Sequence, residues 1–186
     1  MKGSLNLTGH ILVTQPKSPD SIFSRGVISI AKHDANGAWG LMINKPTNKV
    51  TLGQVMASAG ISYPGRENIY VGGPVDTHRV HVIHTLDWRG NATVPVTSEI
   101  GITSEISVMT AIAGGIGPKL FRTCVGLAGW TAGQLDGEYK GLPPWKPEQR
   151  WLDAPATVDS VFDLNNDDQW EKCIDVVASS KVSDWL

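Results

Sequence analysis

Short apolar runs rich in Val and Ile, each bounded by Gly, Pro or Asn, recur along the chain. They predict strands near residues 10–15, 26–32, 38–44, 69–72, 79–85, 92–97, 121–127 and 157–162. Residues 33–37 and 87–91 carry the Asp, Asn and Gly of hairpin loops between such runs. Apolar residues recurring at helical spacing are fewer. Thr51 and Gln54 stand at capping-box spacing ahead of Leu52, Val55, Met56 and Ala59, which predicts a helix over 52–59. Val108, Met109 and Ile112 mark a second helix over 104–113. Trp170, Cys173, Ile174 and Val177 mark a third over 167–178, with Asp167 and Asp168 in the first turn where the helix dipole favours them. Strands come in runs, not in strict alternation with helices, so the pattern predicts an α+β fold and argues against a doubly wound parallel sheet.

The segment Val125-Gly126-Leu127-Ala128-Gly129-Trp130-Thr131-Ala132-Gly133-Gln134-Leu135 leads from a strand-like run through three glycines towards helix-favouring residues. It predicts a strand-to-helix turn in which glycine permits positive φ and close backbone approach. Trp130 is expected to be mostly buried, and Gly129 or Gly133 to hold a conformation alanine cannot share. Between 137 and 155, Pro143, Pro144, Pro147, Trp145 and Trp151 predict an irregular loop packed onto the body.

Composition narrows the class. With 186 residues, 41% hydrophobic and 18% charged, the chain is long enough for a substantial core and is expected to be one domain over 1–186. No run approaches the ~18 apolar residues of a membrane span, and the N-terminus lacks a signal-peptide core, so a cytoplasmic, membrane-free protein is expected. Cys124 and Cys173 lie far apart in sequence and are expected to be free buried thiols. Residues 1–50 carry six Lys/Arg against two Asp/Glu, and residues 140–186 carry five against nine. That asymmetry places the two ends near each other. No Lys/Arg cluster of the kind that binds nucleic acid stands out.

Candidate chemistry is sparse. His78, His81 and His84 suggest a metal set, but the intervening valines favour a strand, which points His81 away from the other two. Gly114-Gly115-Ile116-Gly117 follows a helix, whereas phosphate loops follow a strand. The chain has no Walker loop, nucleophile elbow or dinucleotide fingerprint. No metal, cofactor or catalytic residue is therefore expected. Candidate binding residues are Arg25, His33, Asn44 and Lys45 at strand ends and turns, with Trp130 and Gln134 as walls. The competing reading is that these residues hold turns and strand ends together; for Asn44-Lys45-Pro46 it is a strand terminator. Gly72, Gly73, Pro74, Gly129 and Gly133 are expected to be structural turns.

Several segments share an order and spacing with a known family. They are Gly9-His10 with Pro16, Phe23-Ser24-Arg25-Gly26-Val27-Ile28, His33-Asp34, and Gly37-Ala38-Trp39-Gly40-Leu41-Met42-Ile43-Asn44-Lys45-Pro46. Val71-Gly72-Gly73-Pro74-Val75 with Arg79, the Gly126 to Leu135 stretch, Trp151-Leu152 and Pro155-Ala156 continue the series. Across about residues 5–163 the chain resembles the YqgE/AlgH family of bacterial proteins. It departs at Val80, where the family has Gly after Arg, and at Gln169, where the family has Arg before Trp. Residues 139–150 also look longer than usual. A site using the late arginine does not carry over.

The resemblance implies a bifurcated, bent sheet closing into a pseudo-barrel with flanking helices. It also implies a non-enzymatic binding or regulatory protein, associated with transcription but lacking an identified DNA-binding motif. The partner, protein or small molecule, and the oligomeric state are left open. A small-molecule enzyme is the alternative and direct nucleic-acid binding a weaker one. A pocket with titratable groups would favour the enzyme, a contiguous basic face nucleic acid, and an apolar patch without a pocket a protein partner.

Overall fold

Seven of the eight Val- and Ile-rich runs contain a strand, and the sheet adds three strands that the pattern does not predict. The computed structural model describes residues 4–163 and 165–183. Its strands are β1 (His10–Thr14), β2 (Val27–Asp34), β3 (Gly37–Met42), β4 (Pro46–Thr51), β5 (Asn68–Val71), β6 (Val75–Thr85), β7 (Val94–Pro95), β8 (Ile100–Thr103), β9 (Phe121–Thr131) and β10 (Trp151–Pro155). The α-helices are α1 (Leu52–Ser58), α2 (Ile106–Ala113), α3 (Gln134–Lys140) and α4 (Asn166–Ser183). All ten strands join one curled sheet in the order β10-β1-β2-β3-β9-β6-β8-β7, with β5 added beside β9 and β4 beside β5. Among the described residues only β5 and β9 pair in parallel. The fold is α+β, a bent sheet curled into a half-barrel with helices against it.

Strand β9 is the pivot. Its first half pairs with β5 and β6, and its second half with β3. At the changeover Gly126 has φ +72, and a Cβ there would lie 2.4 Å from the Gly73 carbonyl oxygen. Gly73 has φ +154, and a Cβ on it would meet the Leu127 backbone at 2.2 Å. The Gly72-Gly73-Pro74 link between β5 and β6 therefore lies backbone-to-backbone on the bend of β9. These glycines serve a close chain crossing, not a phosphate cradle.

Alternation along the strands splits the core. On β1, Ile11 and Val13 join a cluster that also holds Leu41, Ile83, Trp170, Cys173 and Val177 under α4. Leu12 points the other way, into a second cluster with Ile28, Met42, Trp130, Leu135 and Trp151 near α3. A third cluster seats α1 and α2 through Leu52, Met56, Val108 and Met109.

The capping box forms as predicted, with Thr51 and Gln54 each accepting the other's backbone N–H. The helix predicted over 167–178 is α4 and runs longer, over Asn166–Ser183, while α3 is not predicted by the pattern. Other expectations need correction. Residues 157–162 are not a strand: Thr157 and Ser160 each accept the other's backbone N–H, and the chain winds into a π-helical turn over Asp159–Asp163. Only Val94–Pro95 of the 92–97 run pairs, on β8. Strand β9 runs on to Thr131, so Gly126 and Gly129 lie in a strand, not a turn. Only Gly133 makes the predicted turn, left-handed at φ 73 as the N-cap of α3. The 137–155 segment is not irregular throughout: α3 occupies its start and β10 its end, where β10 pairs with β1 from His10↔Pro155 to Thr14↔Trp151.

Candidate functional site

Three of the six candidate residues gather at one corner. Asn44 is 5% exposed; its Oδ1 accepts the Val27 N–H at 2.9 Å and its Nδ2 donates to the Arg25 carbonyl at 2.8 Å. Arg25 holds a left-handed backbone (φ 52) in the loop before β2. Its guanidinium lies 4.6 Å from the Trp170 ring centre and 3.0 Å from Glu171. The Lys45 ammonium donates to the Ser24 carbonyl, and burial followed by the nearby Arg25 charge pushes its pKa down. Asn166, Asp167 and Trp170 complete a shallow recess of about 260 Å³ there. Asn44 joins the loop to β2, Arg25 joins it to α4, and Lys45 ties it to the link between β3 and β4.

His33 is elsewhere. It is buried, its Nδ1 accepts the Leu7 N–H at 3.2 Å, and its Nε2 therefore carries the proton that meets Asp136 at 3.1 Å. Both ring nitrogens are committed, so the imidazole ties the N-terminal segment to β2 and α3. The six candidates do not share one site.

Trp130 and Gln134 line a different cavity, of about 370 Å³, which has no residue in common with the Arg25 recess. Strand β9 supplies Gly129 and Trp130, α3 supplies Gln134 and Glu138, and β10 supplies Trp151. Phe23 comes from the loop after β1, and Trp145 and Arg150 from the segment between α3 and β10. The rings meet at steep angles: Trp130 and Trp151 at 81°, Phe23 and Trp151 at 76°. Glu138 organises the wall. Its Oε2 accepts both indole N–H groups, from Trp130 and from Trp151, each at 2.8 Å. Its Oε1 accepts the Gln134 amide at 2.9 Å. The Gln134 Oε1 in turn accepts the Thr131 N–H at 3.1 Å, so the turn carrying Gly133 and the carboxylate are held as one unit.

Reading the sequence alone missed Glu138, although it stands four residues after Gln134, the spacing that places two side chains on one helical face. With α3 unassigned, that spacing had no helix to act on. Phe23, Trp145 and Trp151 were visible only as family-matching or loop aromatics, because the cavity depends on strand pairings distant in sequence.

The remaining reactive groups lie outside that cavity, and among the described residues the buried Nε2 of His81 has no hydrogen-bond partner. Strand β6 leaves His78 exposed and buries His81 and His84. His84 bonds the Thr85 carbonyl and the Thr103 hydroxyl, each at 2.9 Å, and His81 bonds Ser104 at 2.7 Å. Burial lowers both pKa values. Among the described residues no three His, Cys, Asp or Glu converge as a metal cluster. Cys124 and Cys173 are free and buried, and burial pushes their thiols up to about 12 and about 11, far from a reactive thiolate. Asp153 accepts three side-chain hydrogen bonds, as many as Glu138. Burial would raise it, but His10 at 2.8 Å, Tyr139 at 2.7 Å and Lys181 at 3.2 Å bring its pKa down to about 2.

The class is thus an α+β protein whose curled sheet pivots on one bent strand beside an aromatic recess. The chain belongs to the AlgH-like family, whose model matches residues 11–180. A UPF0301 protein of Methylococcus capsulatus is 34% identical over 175 residues, covering 93% of this chain and 92% of its own length. A UPF0301 protein of Rhodospirillum rubrum is 37% identical over 167 residues, covering 88% and 83%. The solution structure of the AlgH protein from Pseudomonas aeruginosa superposes with a TM-score of 0.74 at 30% identity, over 97% of this chain and 91% of that one. A crystal structure from Corynebacterium diphtheriae, with a TM-score of 0.72 at 20% identity over 93% and 88%, shares the fold. No helix among the described residues is long and apolar enough to cross a membrane.

Proposed function

We propose that residues 1–186 act as one non-enzymatic ligand-binding domain, with the Trp130–Glu138–Trp151 cavity as its binding site. Regulatory output in the cytoplasm would follow from ligand occupancy. The observation that carries this reading is the cavity itself: about 370 Å³, walled by aromatic rings, with the Glu138 carboxylate fixed by three hydrogen bonds. That size and lining suit a small molecule. The chemistry-bearing groups elsewhere support a binding role over catalysis. His33 and His84 have both ring nitrogens engaged, and the two thiols are buried far above their ordinary pKa.

The test is a melting-temperature screen against metabolites of differing charge, run on wild type and on Trp145→Ala. A ligand specific to the folded state raises the melting temperature. Trp145 lines the cavity from the segment between α3 and β10, so its truncation removes a wall without altering a strand. The expected outcome is a ligand that stabilises wild type and not the variant. Stabilisation of both alike would remove the cavity from the reading. Turnover on ester, phosphoester or nucleotide substrates that disappears in His33→Ala or Arg25→Ala, with the fold intact, would establish an enzyme instead.

A further inference from the structure

The cavity also has a charge character, and it comes from Glu138. Its carboxylate is half-buried and accepts hydrogen bonds from three neutral donors, two indoles and an amide. Among the described residues no cationic side chain lies within ion-pair distance of it. A carboxylate offers about four acceptor positions, so three donors leave room for one more on Oε1. Neutral donors orient a half-buried carboxylate without cancelling its charge. The other charged groups in the lining are Asp20 and Arg150. The Arg150 Nε donates to the Tyr139 carbonyl at 3.1 Å, and in the sum of lining charges Asp20 offsets Arg150. One negative charge is left over.

The aromatic side chains complete the pattern. Trp130, Trp145, Trp151 and Phe23 bound the same space, and the steep angles of the Phe23–Trp151 and Trp130–Trp151 pairs make the walls of a box, not a stack. Tryptophan is the ring that attracts a cation most strongly, through the negative face of its π-system. A flat neutral ligand would call for parallel walls. A compact cation is served by rings set at steep angles with a carboxylate at the join.

Resting on the binding reading above, we propose that the cavity takes a small organic cation, an ammonium or similar group seated among these rings with Glu138 as its counter-ion. The test uses three probes that share a benzyl ring and differ in charge: benzyltrimethylammonium, benzyl alcohol and benzoate. Each is titrated into ¹⁵N-labelled protein while the indole N–H resonances of Trp130 and Trp151 are followed, assigned through Trp→Phe variants. The ammonium is expected to bind about tenfold or more tighter than the alcohol, with benzoate weakest. Glu138→Gln, in which the amide oxygen can still accept an indole N–H, is expected to lower the ammonium affinity about tenfold and to leave the alcohol nearly unchanged. If the variant does not fold, the charge series on wild type decides alone. Benzyl alcohol or benzoate matching the ammonium would overturn the cation assignment and leave the cavity as a binding site. Indole resonances unmoved by all three probes would overturn both.

Discussion

Single residues in this molecule show how far a local rule reaches. Gly133 and Gly129 both belong to the family signature, yet only one of them needs to be glycine for its backbone. Gly133 sits at φ 73 with open space around it, so Gly133→Ala costs backbone strain alone, about 1 kcal/mol. Gly129→Ala is expected to change stability by less than about 0.5 kcal/mol. Urea unfolding of the two variants checks the contrast. Asp153 yields a pH prediction. Its folded pKa, about 2, lies below the ~3.9 of an unfolded aspartate, so its contribution to stability is present above about pH 5 and lost as pH falls towards 2. The amount is on the order of 2 kcal/mol. Urea midpoints for wild type and Asp153→Asn should therefore differ clearly at pH 6, with a gap that shrinks below about pH 4 and closes only below about pH 2. A constant gap would mean that packing, not charge, sets the effect.

At the scale of elements, what was legible in the sequence was whatever depends on neighbours in the chain. The capping box at Thr51, the Asp34–Gly37 hairpin and the buried stripe of α4 were all readable, because each rests on contacts a few residues apart. Strand β4 was not, because Pro46, Asn48 and Lys49 carry no apolar alternation and the strand exists by pairing with β5. The 157–162 run was misread because two hydroxyl side chains compete for the backbone that a strand would use. Strand β9 was read short because its glycines suggested a turn, when they mark where two backbones touch. That contact gives a prediction: Gly126→Ala drives a Cβ against the Gly73 carbonyl and imposes a strained φ, costing roughly 2 kcal/mol or more. Thermal unfolding should show Gly126→Ala as more damaging than Gly133→Ala. Equal losses would deny β9 its role as pivot.

For the whole molecule, the candidate site was legible only in fragments. Trp130 and Gln134 were nameable, but the cavity needs β9, α3, the loop after β1 and β10 assembled together, and Arg25, Asn44, Lys45 and His33 proved to be ties between distant segments. The uneven charge along the chain has its counterpart in the Arg25–Glu171 ion pair, which joins the basic first quarter to the acidic last one. The same closure has a consequence in time. Strand β1 has β10 on its outer side, and the two are about 140 residues apart in the chain. During synthesis at ordinary rates, β1 emerges on the order of ten seconds before its partner exists. Through that interval its unpaired edge and the surface awaiting Trp151 are open to any other nascent chain. Ribosome-bound chains stalled at residue 150 should accordingly recruit chaperones or aggregate, whereas chains stalled with residues 1–183 outside the exit tunnel should not. The arrival of β10 thus sets the moment at which the edge of β1 stops being vulnerable.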